Sequence, residues 1–274
     1  MKKRSNLTSI IIYIILGLVA IIMIYPFYLM IINSIKTGAE IVNSPFGFPH
    51  GINLQGYEMV FTKLNMLRLI GNSVFVAVCC TFLNVFFAAM VAFGLTKTEL
   101  PGRGKLLAII ISTMAIPGIL FMIPNYTMMY HWGWINTYLP LIIPGCVSAF
   151  NIFLVVKFLE SIDKAYMEAA KLDGASDWQI FIKIVLPMSI PVLTTIGIFT
   201  FIGTWNDFQN PLLYLRSPSM MTVQLAVFNF NQQIPGQYTQ ALWAAFTIVT
   251  VPIVVLYMIC QKQIMRAFSN VGLK

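Results

Sequence analysis

The sequence predicts an all-α polytopic membrane protein with six transmembrane helices, forming one domain over residues 1–274. Composition is the first reason. Hydrophobic residues make up 58% of the chain, charged residues 9%, and mean hydropathy is +0.82. A soluble domain keeps about a quarter of its residues charged. Spacing is the second reason. Residues 5–35, 69–96, 106–156, 184–206 and 217–261 contain no Asp, Glu, Lys or Arg. Each run exceeds the roughly 20 residues needed to cross about 30 Å of hydrocarbon, and 106–156 has room for two passes. Charge asymmetry is the third. With the N-terminus in the cytoplasm, Lys36, Lys63, Arg68 and Arg216 fall outside, and the other 13 of the 17 basic residues fall inside. That is the positive-inside arrangement of a multi-pass cell-membrane protein, here with both termini cytoplasmic.

Span one is expected at about 11–32. Lys2, Lys3 and Arg4 ahead of it imitate a signal peptide. The apolar run is too long for one, and Ile22–Ile32 offers no small-residue cleavage site, so the span reads as retained. The outer segment 33–68 has a Pro45–Pro49 loop and room for a short helix within Leu54–Met66. Span two, about 69–95, carries Ala88, Ala89, Ala92 and Gly94, small residues that let helices approach closely. Pro101 and Gly102 break an inner turn. Span three, about 106–130, is interrupted by Pro117, Gly118 and Pro124. His131, Trp132, Gly133, Trp134 and Asn136 then suit an interfacial turn. Span four, about 138–159, holds Pro140, Pro144 and Gly145. Span five, about 184–208, has Pro187 and Pro191 near its inner end, and span six, about 242–261, has Pro252. Prolines free backbone carbonyls and bend helices. Transport proteins use such bent helices beside their substrate paths.

Several function classes drop out. The net charge of +8 sits mostly on the inner segments, which points to the membrane surface rather than nucleic acid. Cys79, Cys80, Cys146 and Cys260 lie in apolar runs without metal-ligand spacing, so they read as buried thiols and no metal is expected. No glycine-rich loop ends in Lys and Ser or Thr, so the chain has no ATPase site of its own and is not expected to be an enzyme.

One polar stretch stands apart. Residues 160–183 hold eight of the 26 charged residues, wedged between apolar spans. Two short helical pieces are expected, about Lys164–Leu172 and Asp177–Ile182. Gly174 between them suits a positive φ, and Ser176 or Asp177 suits an N-cap. Lys164 and Glu168, four apart, are placed to pair. Composition alone makes this a solvated loop; its residue order says more. Glu168-Ala169-Ala170, three residues, Gly174, nine residues, then Ile184-Val185-Leu186-Pro187 resembles the cytoplasmic loop of ABC-importer permease subunits.

The resemblance extends over most of the chain. Pro144–Phe158 and Phe199–Leu215, the latter containing Trp205-Asn206-Asp207-Phe208 and Pro211-Leu212, look like the carbohydrate-uptake branch, within it the smaller maltose or multiple-sugar permease subunit. Asn33-Ser34-Ile35-Lys36-Thr37, Tyr57 and Asn72-Ser73 resemble that branch's opening. Ile162-Asp163 departs from the family's Ile-Pro, and the C-terminal tail fits it only in part. The resemblance implies the type I ABC importer permease fold. It implies a homologous second permease, two ATP-binding subunits that hold ATP and Mg, and an extracytoplasmic sugar-binding protein. It implies that Glu168, Ala169, Ala170, Asp173, Gly174 and Ala175 couple to the ATPase.

Rings cover the apolar faces of sugars and amides meet their hydroxyls. On those grounds Asn125, Tyr126, Asn151, Trp205, Asn206 and Asp207 are candidates for the substrate path. An outer-interface placement of Trp205, Asn206 and Asp207 is the competing expectation. Glycerol phosphate or a polyol is the alternative cargo. A secondary carrier leaves the loop spacing without a reason.

Overall fold

The computed structural model describes residues 6–233 and 239–271, so Lys2, Lys3, Arg4 and Lys274 of the charge count lie outside the described residues. The first long helix is α1 (Asn6–Ser34). It is apolar all round and almost wholly exposed from Ile10 to Phe27, a surface suited to lipid. Short helices α2 (Gly38–Asn43) and α3 (Gln55–Lys63) precede α4 (Met66–Lys97). Next come α5 (Arg103–Ser112), two tight 3-10 turns, and α6 (Met122–His131). After α7 (Leu139–Ile142) and the turn Pro144–Cys146 comes α8 (Ala149–Glu160). The polar stretch holds α9 (Ala165–Leu172) and α10 (Asp177–Ile180). A π turn, Phe181–Val185, joins α10 to α11 (Leu186–Met188), and α12 (Ile190–Asn206) follows. The chain closes with α13 (Gln209–Tyr214), α14 (Val223–Gln233) and α15 (Thr239–Val271).

Four stretches are long and apolar enough to cross a membrane: Ser9–Ser34, Met66–Lys97, Leu139–Glu160 and Thr239–Gln261. Two bent pairs bring the number to as many as six. The expected third span turns by 91° between Arg103–Ala115 and Gly118–His131. Ile116 is extended, φ −89° and ψ 119°, as the residue before Pro117 must be once the proline ring bars the helical region. The fifth turns by 77° between Met188 and Ile190. Its helix starts well before residue 184, because the second short piece continues through the π turn to Met188. Pro187 cannot donate to the Lys183 carbonyl, and widening the preceding turn relieves that loss. The fourth breaks at Val147 and Ser148, both extended, and Ser148 Oγ then accepts the Asn151 amide at 3.3 Å to cap α8.

The chain forms two compact units. One comprises 1–67 and 227–252. In it Lys36 is only 1% exposed, yet fully occupied. Its Nζ donates to Asn33 Oδ1 and the Ser44 carbonyl, both at 2.9 Å, and to the Pro45 carbonyl at 3.3 Å. Ser34 Oγ bonds Tyr57 OH at 2.8 Å. Thr37 and Glu40 cap α2 reciprocally, and the other Glu40 oxygen accepts the His50 amide at 3.0 Å. At Gly56 a Cβ would lie 2.6 Å from the Gln240 carbonyl oxygen, so α3 meets α15 backbone to backbone.

The other unit comprises 68–226 and 253–274. Its core joins α4, α8, α9, α10, the π turn and α12. Ala88, Ala89 and Ala92 are buried there, so the small-residue face of α4 does pack closely. The segment after α12 is largely helical in α13 and α14.

Candidate functional site

The segment 160–183 is anchored on one side and open on the other. Met167, Ile180 and Phe181 enter the core, with Ile162, Ala170 and Ala175 packed against it. Tyr166, Glu168, Ala169, Asp173 and Trp178 face out, and Leu172 is 90% exposed. Gly174 adopts φ +80°, the left-handed conformation that ends a helix. The Gly174 amide donates to the Lys171 carbonyl at 3.0 Å, and the Ala175 amide to the Ala170 carbonyl at 2.9 Å. This paired closure is the Schellman motif, and it normally brings an apolar contact between the two outer positions. Here those positions are Ala170 and Ala175. Ser176 then starts α10 with a reciprocal cap to Gln179. No ion pair joins Lys164 to Glu168, contrary to the spacing argument; Lys171 pairs with Asp177 at 3.4 Å instead. Beside α9 lies a cleft of about 370 Å³ bearing Lys97, Arg103, Lys164 and Lys171, with Glu99 and Glu168 on its wall.

The second feature is a cavity of about 550 Å³ in the same unit. Asn125 and Asp207, both singled out from sequence, border it, with Thr204, Asn210, Tyr214 and Thr222. Asp207 Oδ1 accepts the Asn210 amide at 3.1 Å and Oδ2 accepts Asn210 Nδ2 at 2.7 Å, which starts α13. Tyr126 stands behind the wall, its ring stacked on Tyr214 at 6.2 Å and its hydroxyl accepting from Arg216 at 3.2 Å. Burial raises the Tyr214 pKa above the ordinary phenol range. Asn206 lies off the wall, accepting from Gln224 at 3.2 Å.

Trp205 and Asn151 do not border the cavity. Trp205 is buried and stacks on Phe201 at 6.0 Å. Asn151 belongs to a buried amide cluster. Its Nδ2 donates to Asn84 Oδ1 at 2.6 Å and to Thr200 Oγ1 at 3.0 Å. Asn84 Nδ2 donates in turn to the Gly145 carbonyl at 2.8 Å, at the break before α8. The sequence reading missed Asn84, Asn210 and Thr222. A lone Asn at the middle of an apolar run was the one signal for Asn84. Among the described residues no group of three His, Cys, Asp or Glu side chains is placed to hold a metal.

Broken apolar spans around a core that anchors a projecting polar helix pair define a multi-pass transport subunit rather than a catalyst. Residues 84–270 match the model of the binding-protein-dependent transport system inner membrane component, and the chain belongs to that family. It is therefore a permease subunit of an ABC importer, homologous to sugar-import permeases. Protein LplC of Bacillus subtilis (strain 168) is 33% identical, over 90% of this chain and 88% of that one. The polygalacturonan/rhamnogalacturonan transport system permease protein YtcP of the same strain is 29% identical, over 94% and 95%. A chain in the crystal structure of a bacterial ABC transporter involved in the import of the acidic polysaccharide alginate superposes with a TM-score of 0.84. It is 25% identical, and the match covers 96% of this chain and 98% of that one.

Proposed function

We propose that this chain forms half of the translocation pathway of an ATP-driven importer of oligosaccharides. Its relatives' names, with their polygalacturonan and alginate, support a saccharide cargo. The partners are a homologous permease, two ATP-binding subunits that carry ATP and Mg, and an extracytoplasmic sugar-binding protein. The passes are α1, α4, α5 with α6, α7 with α8, the bent α10–α12, and α15. The uneven basic residues favour cytoplasmic termini and a cytoplasmic 160–183 segment.

One observation carries the reading: α9 and α10 are rooted in the same core as α4, α8 and α12 while their polar face stays open. A rigid-body push on that face is therefore delivered to three passes at once. Glu168, Ala169, Asp173 and Gly174 meet the ATPase, and Ala170 and Ala175 hold the turn that presents them. The cleft with four basic side chains beside α9 complements acidic groups on the same partner.

The test is reconstitution in liposomes with binding protein outside and ATP inside, recording uptake and hydrolysis together. The expected result is sugar uptake that needs ATP and is abolished, with stimulated hydrolysis, by Glu168→Ala. Truncating one partner of a desolvated charge pair costs about 2–5 kcal/mol. Uptake without the ATPase subunits, or unchanged uptake in the variant, would defeat the proposal.

A further inference from the structure

The cavity below α13 contains a group with no structural employment. Thr222 is 4% exposed, its Oγ1 makes no hydrogen bond among the described residues, and it borders the cavity. A buried unpaired hydroxyl costs free energy unless something else satisfies it. Asn125 borders the same space, and among the described residues its side-chain amide makes no hydrogen bond. Asp207 is a third polar group on the wall. Each of its oxygens accepts one bond from Asn210, and a carboxylate oxygen can accept a second.

The lining also carries apolar residues. Pro140, Pro144 and Pro211 line them, and the Tyr214 ring is held rigid by its stack on Tyr126. Asp207 is the one charged residue on the lining among the described residues. With no cation on the lining, an anionic group placed against Asp207 is repelled, whereas hydroxyls can donate to it. A volume of about 550 Å³ lies in the range of small-molecule sites, roughly 300–1,000 Å³.

We infer that this cavity is a saccharide subsite on this subunit. In it Thr222 Oγ1 and the Asn125 amide bond sugar hydroxyls, Asp207 accepts from a neighbouring hydroxyl, and the prolines cover C–H faces. The inference rests on the importer reading, and it adds a contact between cargo and this chain outside the ATPase-coupling segment.

The test separates the two. The full chain, purified with its permease partner into nanodiscs, is titrated with neutral tetrasaccharides built from glucose, xylose, galactose, arabinose or N-acetylglucosamine, and binding is read by saturation-transfer NMR. At least one is expected to bind. Thr222→Val preserves shape and removes only the unpaired hydroxyl. If that hydroxyl were merely structural, the change would leave binding intact and the melting temperature equal or higher. The subsite predicts instead an unaltered or higher melting temperature with binding weakened roughly tenfold, the value of one neutral hydrogen bond. Asn125→Leu, at another position on the lining, is expected to weaken it similarly and guards against a local effect at Thr222. Absence of binding by every tetrasaccharide, or wild-type affinity in both variants, overturns the subsite. ATP-driven uptake by the assembled importer is measured separately. Uptake that persists while both variants bind normally removes the subsite and leaves the importer standing.

Discussion

Replacing Gly174 separates the cost of its backbone conformation from the cost of docking. The residue sits at φ +80°, and a Cβ built there meets nothing within 4 Å. In the free subunit, alanine therefore brings only the left-handed penalty of about 1–2 kcal/mol. If the α9 end relaxes to avoid it, docking must restore the turn, which weakens ATPase association by at most roughly 5- to 30-fold. Aspartate brings the same penalty together with bulk and charge on the open face. Gly174→Asp should therefore lose association altogether, while membrane insertion and pairing with the second permease persist. The assay titrates labelled ATPase subunit onto nanodiscs holding each variant, with hydrogen exchange at the Gly174 and Ala175 amides reporting the turn. Association of Gly174→Asp at wild-type strength would refute the docking role. An alanine variant as impaired as the aspartate one would refute the premise that the space above Gly174 stays open on docking.

Three further outcomes are expected. In a cysteine-free background, a cysteine at Ala175 should react only with reagents that reach the cytoplasm and one at Gln232 only from outside; reversed labelling would invert the topology. Lys36→Met should destabilise the 1–67 unit by about 1–3 kcal/mol, because three acceptors lose their buried donor, and thermal unfolding reads the change. The Thr37 and His50 amides hold the Glu40 carboxyl below the usual carboxylate range. Such a group stabilises the fold above its unfolded pKa, and the contribution is lost as pH falls through the folded one. Glu40→Gln should therefore melt below wild type at neutral pH and converge with it in acid; a constant gap across that range would exclude the linkage.

The two short helices of the 160–183 segment were legible because their signals are local. A Gly between two short helices, a Ser three residues before Gln179, and charge bounded by apolar runs each act over one turn of chain. Long apolar helices were legible because hydrocarbon thickness sets a length. The bends were not. Pro117 and Pro191 announce a lost amide, but the 91° and 77° angles follow from what packs on each side. Helix α14 was hidden because its second half carries Asn229, Asn231, Gln232 and Gln233, which read as polar outer sequence. Thr222 was invisible for a different reason. A threonine in an outer segment looks solvated, and only the fold buries its hydroxyl against a cavity. Asn151 differs again: nothing in the sequence shows that its Nδ2 bonds Asn84 and Thr200.

The π turn at Phe181–Val185 has a consequence for chain length. It accommodates one residue more than an α-helix would need between α10 and α11. Removing a residue there would give the backbone ordinary hydrogen bonding. Because the wide turn takes up the extra residue, the helix on either side would keep nearly the same phase, and Trp178 and the Ser176 cap would point much as before. A residue removed from the regular turn Asp177–Ile180 would instead rotate what precedes it by about 100° and draw it in by about 1.5 Å. The π turn is thus a place where the chain can lose a residue without re-aiming the helix pair it carries.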